Sequence, residues 1–311
     1  VSALLTESFL TALIAGAVTA GVPLLLAGLG EQISEKAGVL NIGIEGMMLL
    51  GAYMAFLITW STGSFGLGFL GGGLGGALAA LIVLVLCIRL GLNQIVVGIA
   101  VTVGMQGLTA LLHYFEFSRE YPRLAAAPVW ALPVLGRIPV LGRALFSHNA
   151  LVYLSVALVV VLAWVFRSTH WGLDLEAAGQ KPAALDAAGV DVLRTRSAAL
   201  LATGFLAGLG GAYLSIVGAG IFVPFMTGGA GFIGIVLAML ARGRPLWVLF
   251  GSMLFGVSLA LTTALQVAGI NVPTDVVQML PFVVVMVVLV IFARHSMLPP
   301  ALGSPYTRGE R

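Results

Sequence analysis

Polar side chains are scarce in this sequence, and those that interrupt apolar runs are the first candidates for chemistry. Asn41 and Glu45 head the run AGVLNIGIEGMMLLGA. Asn93 and Gln94 open GLNQIVVGIAV, with Thr102 and Gln106 further along the same run, and Thr262, Thr263 and Gln266 close a third run. In hydrocarbon such groups are costly and turn towards a bundle interior or a water path. There they either hydrogen-bond between helices, at about 1 kcal/mol each, or line a route for a neutral polar solute. For Glu45 a structural or gating pair is favoured over direct ligation; for Gln106 packing and pathway stand level. Phe222 and Phe225 join the pathway candidates. Their segment, GAGIFVPFMTGGA (218–230), is too apolar for an aqueous loop and too broken for a straight helix. Irregular backbone at membrane depth must be shielded by protein or by a water-filled cavity, so this stretch is expected to be broken or re-entrant and close to a pathway.

Other chemistry is absent. No G-x-x-x-x-G-K-[ST] occurs, so the chain cannot cradle a nucleotide's phosphates by that device. His113, His148, His170 and His295 lack metal-ligand spacing. The single cysteine, Cys87, excludes an internal disulfide. No nucleophile–base or paired-carboxylate spacing is present, and no intramembrane acid–base chain of the kind used by proton-coupled pumps.

One long polar interval remains, residues 168–196, with Asp174, Glu176, Lys181, Asp186, Asp191, Arg194 and Arg196. Inside it PAALDAAG has clear ends. Pro182 suits the first helical position, the alanines favour helix, and Gly189 suits a left-handed stop. A helix this short is unstable alone and must be held by the membrane domain or by a partner.

These features need a membrane scaffold. Of the 311 residues, 60% are hydrophobic and 9% charged, against about 25% charged in soluble domains. The net charge of +3 implies no nucleic-acid partner. Runs able to cross a core of ~30 Å fall at 8–28, 39–60, 65–88, 94–113, 148–166, 197–217, 231–241 with its preceding segment, 246–267 and 276–293. The expected fold is therefore an all-α polytopic bundle of about nine transmembrane helices. Its first segment lacks a basic n-region and reads as a retained helix. With the N-terminus outside, eleven Lys and Arg lie inside, and only Arg119, Arg123, Arg137 and Arg143 lie outside, in one loop; the charge rule thus gives N-out, C-in and a cytoplasmic 168–196. Domain boundaries follow: a transmembrane domain over 1–295, and a polar, loosely ordered cytoplasmic tail over 296–311.

Three further expectations concern packing. Glycines of FGLGFLGGGLGGALAA, at Gly68/Gly72/Gly76 and Gly71/Gly75, let helix backbones approach closely. The loop 114–147, broken by Pro122, Pro128, Pro133 and Pro139, reads as short irregular pieces, either a lid on the membrane surface or a landing surface for an external partner. Finally, GVLNIGIEGMMLLGA is echoed by GAGFIGIVLAMLA, and GLNQIVVGIAV by AGINVPTDVVQML, as in the repeats of many transporters.

Four ordered blocks, SEKAGVLNIGIEGMMLLGAYMAF, NQIVVGIA, GLDLEAAGQKPAALDAAGV and GFIGIVLAMLARGRPLWVLFGSMLFG, resemble the ABC-importer permeases of the branched-chain amino acid, ribose and nucleoside group. Their closest likeness is to the shorter permease of the nucleoside importers that depend on a basic membrane lipoprotein. The resemblance implies a transport subunit of the bacterial cytoplasmic (inner) membrane, itself not an enzyme and binding no cofactor or metal. It would pair with a second related permease, with ATP and Mg held in a cytoplasmic ABC ATPase and solute delivered by an extracytoplasmic substrate-binding lipoprotein. It also places a coupling helix, which docks on the ATPase, at Gly179, Lys181, Pro182, Ala183, Ala184, Asp186 and Gly189. Lys181 stands where the family usually has Asn, a better cap, and Ala241-Arg242-Gly243-Arg244-Pro245 departs from a Gly common in relatives. A neutral solute such as a nucleoside is expected. A ribose-like sugar, or an ion-coupled secondary transporter, is the alternative.

Overall fold

The computed structural model describes residues 7–131, 141–267 and 298–307, with residues 279, 283, 286, 287 and 290 between them. Most of it is helix. α1 (Glu7–Lys36) is followed by α2 (Ile44–Thr62), α3 (Phe65–Val83, continued by a π-helical turn over Leu84–Arg89) and α4 (Gln94–Phe117). α5 (Leu141–Phe146) and α6 (Ala150–Ser168) lead to α7 (His170–Gln180) and α8 (Pro182–Ala187). α9 (Val192–Ala212) also widens into a π turn, Tyr213–Ala219, before α10 (Ala230–Ala241) and α11 (Pro245–Val267). Among the described residues six helices are long and apolar enough to span a membrane: α1, α2, α3, α4, α6 and α9. α10 is shorter, and most of the expected ninth span, 276–293, lies outside the described residues.

α1 is the central helix; α6, α7, α9, α10 and α11 all pack on it. It runs eight residues beyond the expected span, to Lys36. Glu31, Gln32, Ser34 and Glu35 lower the hydropathy but leave helix propensity intact, and the helix stops only near Gly38, at φ +81. A second layer, α2, α3 and α4, stands beside α9. There α3 turns Gly68, Gly72 and Gly76 inward and leaves Leu67, Leu70, Leu74 and Leu78 exposed. A Cβ on Gly76 would fall on the Gly204 carbonyl, and one on Gly208 on the Gly72 carbonyl. Backbone contact thus joins α3 to α9, as the glycine spacing leads one to expect.

The loop after α4 does form short pieces. β1 (Trp130–Ala131) pairs antiparallel with β2 (Ser147–His148), with Trp130 opposite His148. Leu124 N donates to Gly220 O, and Asn149 Nδ2 to Pro128 O, which folds the loop back over the bundle. The opposite end carries Lys36, Arg89, Arg167, Lys181, Arg194, Arg196, Arg242 and Arg244 and is called the basic end below.

Candidate functional site

At the basic end the sequence builds a small helix with firm ends. α7 closes at Gln180, and Lys181 turns out of the helical region at φ −146, ψ 77. Its side chain does not cap α8; its carbonyl accepts from Ala184 N (3.0 Å) and Leu185 N (3.3 Å). Pro182 occupies the first helical position. Gly189, at φ +89, makes the left-handed stop, with Val190 N donating to Leu185 O (3.2 Å). Asp191 then caps α9 by accepting from Arg194 N (3.0 Å). A helix of six residues cannot hold itself. Its anchor is Leu185, buried with Ala178 and Val192 and flanked by Val190 and Tyr306. Ala183, Ala184 and Ala187 are exposed and Asp186 is half-buried, giving a smooth outward face. Gly179 is placed differently from its neighbours in the expected coupling set. It is buried where α7 crosses the end of α1, and a Cβ there would overlap the Lys36 carbonyl. Its role is close packing, which sets the position of α8 against α1.

The tail is where the structure corrects the expectation of loose order. Residues 298–307 lie across the basic end as a strap. Ala301 N donates to Gly179 O (3.0 Å), and Gly303 N to Gly38 O (3.1 Å). Arg196, only 2% exposed, ties the strap down. Its Nε donates to Ala37 O (3.1 Å), one terminal nitrogen to Ser304 O (2.8 Å) and the other to Ala178 O (3.1 Å). One planar guanidinium thereby joins α1, α7, α9 and the tail. Unpaired backbone groups are what leave a polar tail loose; here the partners exist on other elements.

Deeper in the bundle, the segment after α9 is irregular. Gly220, Phe225, Gly228 and Gly229 all have positive φ. At φ +64, Phe225 is strained for a bulky side chain, and it is 55% exposed. α10 then begins, about 18 Å long, which is too short to cross ~30 Å of hydrocarbon. Its amino-terminal N–H groups need acceptors, and Glu45 supplies them. Oε1 accepts from Gly229 N (2.8 Å) and Oε2 from Gly231 N (2.7 Å). Glu45 is 2% exposed, so its carboxyl group closes a helix end inside the bundle, where the dipole favours it. This contact also joins the two halves of one echo, because Glu45 lies in the first copy and Gly231 in the second.

The other expected pathway residues scatter. Asn41 is buried, its Nδ2 near Met47 Sδ (3.3 Å), and Gln94 Oε1 accepts from Leu40 N (2.8 Å). Both side chains hold the turn between α1 and α2. Asn93 is exposed and caps α4, accepting from Ile95 N and Val96 N. Gln106 is half-buried on α4. Gln266 falls on the last turn of α11, its side chain outside the described residues. Phe222 is fully buried in an aromatic cluster at the end opposite the basic one. It meets Tyr53 at 5.2 Å and His113 at 5.6 Å, and His113 stacks on Tyr121 at 5.1 Å.

Sequence reading missed Glu31, Gln32 and Glu35, all buried near the end of α1. Glu31 Oε1 accepts from Asn41 N (3.2 Å), and Ser34 Oγ donates to Oε2 (3.2 Å). The usable signal was the lack of any helix breaker between Gly30 and Gly38. Arg196 was counted only as a charge, and nothing local marks it as a hub.

Comparison with known proteins finds relatives among ABC transporter permeases. TsgC13 of Haloferax volcanii, whose name assigns it provisionally to glucose ABC transport as a permease, is 40% identical over 80% of this chain and 76% of its own length. The nucleoside ABC transporter permease NupC of Lactococcus lactis is 31% identical over 96% and 97%. The guanosine ABC transporter permease NupQ of Bacillus subtilis is 30% identical over 93% and 94%. A family model described as the branched-chain amino acid transport system permease component matches residues 13–289, and the chain belongs to that family.

Proposed function

We propose that this chain is one of the two permease subunits of an ATP-driven nucleoside importer of the bacterial cytoplasmic membrane. It crosses that membrane nine times, N-out and C-in, with α10 and the irregular segment before it together making one crossing, and it pairs with a second related permease. The observation that carries the coupling role is α8, a short helix with an exposed alanine face, fixed by Pro182, Gly189 and the Leu185 anchor in a chain without a phosphate-binding loop. Such a helix suits docking in a cleft of a cytoplasmic ATPase. When ATP closes the ATPase dimer, the docked helix moves with it. Rigid attachment through α7 and Arg196 passes the displacement to α1 and α9.

The pathway reading rests on Glu45, α10 and Phe225. The structure holds this half-helix capped by a carboxyl from α2, and release of that cap would give the second arrangement a gate needs. For the solute, the named nucleoside relatives match across almost their whole lengths. Tyr121, exposed at the edge of the aromatic cluster and stacked on His113, offers a flat face of the kind that stacks nucleobases. A sugar is the second reading, favoured by the likeness to TsgC13.

The test is co-purification with the cognate ATPase, second permease and lipoprotein, followed by ATP turnover with adenosine, guanosine, glucose, ribose and leucine. Stimulation by nucleosides is expected. A response to glucose alone would transfer the assignment to sugars. Ala184→Asp is expected to abolish stimulated turnover at normal membrane abundance, and full turnover in that variant would defeat the docking role.

A further inference from the structure

A cavity of about 550 Å³ opens at the basic end between α1, α6, α7 and α11, within the range of roughly 300–1,000 Å³ that holds small ligands. Lys36, Phe166, Arg167, Glu176, Arg244 and Trp247 line it. Lys36 Nζ pairs with Glu176 Oε2 at 3.0 Å and lies 5.2 Å over the Phe166 ring. Neither Arg167 nor Arg244 has a carboxylate partner among the described residues. Among the described residues three cations thus face one anion, and two positive charges remain uncompensated. The amino-terminal end of α11, at Pro245, borders the same space and adds to the positive potential.

The surroundings of the cavity narrow the choice of ligand. Trp247 and Phe250 are exposed on α11, as are Val160, Val161 and Trp164 on α6. Two lipid-facing helix surfaces therefore run up to a cavity with excess positive charge. A soluble anion satisfies the charge but leaves these apolar walls bare. A zwitterionic phospholipid satisfies the walls but carries its own cation.

The geometry points to a binding site for the phosphate headgroup of an anionic phospholipid, its acyl chains lying along α6 and α11. Basic pockets between helices at the cytoplasmic leaflet recognise such headgroups by this charge. Occupancy has a mechanical consequence. The headgroup bridges Arg167 on α6 to Arg244, in the turn between α10 and α11, beside Glu176 on the helix that leads into α8. It stiffens the connection between the exposed helix and the half-helix that Glu45 caps.

The test uses the full-length chain, purified in mild detergent and titrated with short-chain phosphatidylglycerol, phosphatidylcholine, glycerol phosphate and inorganic phosphate, with bound lipid counted by native mass spectrometry. Phosphatidylglycerol is expected to bind in preference to the other three. The double variant Arg167→Gln/Arg244→Gln is expected to lose about 10–30-fold in its affinity, from two surface charges at about 1 kcal/mol each. Arg167→Lys/Arg244→Lys should restore most of it, which guards against a folding defect. Arg194→Gln, exposed and away from the cavity, should change nothing. Equal retention by wild type and the glutamine variant overturns the site, as does an equal loss in Arg194→Gln. Saturation by inorganic phosphate with no lipid preference replaces the lipid with a free anion and overturns it too.

Discussion

Replacing Arg196 by Met keeps the stem of the side chain and removes its fork. Three donations are lost, to Ala37, Ala178 and Ser304. Only the donation to Ser304 holds the tail itself; a hydrogen bond from a charged group nets about 1.5–3 kcal/mol, so the strap should weaken by about 2 kcal/mol. That corresponds to roughly 30-fold in the equilibrium between docked and released tail. The amides of Ala301 and Gly303 report this directly, because each donates to a carbonyl on another element. Hydrogen exchange at those two amides should accelerate by about that factor, while α9 core amides hold their protection. Arg196→Lys, with a compact ammonium in place of the fork, should fall between. Unchanged exchange at Ala301 and Gly303 in the Met variant would refute the account of Arg196 as the hub.

Two further outcomes follow from the same reasoning. Glu45→Ala strips acceptors from the buried Gly231 N–H and the part-buried Gly229 N–H, at about 1–3 kcal/mol for the buried one when unsatisfied; lower thermal stability in detergent and lost transport are expected, with Glu45→Gln milder, and a fully active Ala variant would remove Glu45 from the gate. Gly76→Ala drives a methyl into the Gly204 carbonyl and should sharply lower the yield of folded protein, whereas Gly104→Ala, with nothing within 4 Å of the added carbon, should be silent; equal yields would refute backbone contact between α3 and α9.

Local chemistry alone was enough to read several of these elements. Pro182 and Gly189 mark the ends of α8 because each backbone preference is a property of one residue. Leucines and glycines alternate around α3 at helical spacing, so its lipid face and packing face separate on the page. The irregularity of 218–230 is visible in its Gly, Pro and Phe content. The extension of α1 was hidden because hydropathy falls at Glu31, although helix propensity does not. A polar group inside a bundle looks the same in sequence as one in a loop.

What the amino-acid order determined by itself was a membrane-embedded helical protein, the ends of its helices, and the short helix in its polar interval. Each follows from the solvent preference or backbone restriction of neighbouring residues. Tertiary structure alone decided that Glu45 caps a helix 184 positions away, that Gly179 is a packing residue, and that the tail is a strap under Arg196. These depend on which carbonyls and N–H groups lack partners once the helices are packed, and that balance exists only in the assembled bundle.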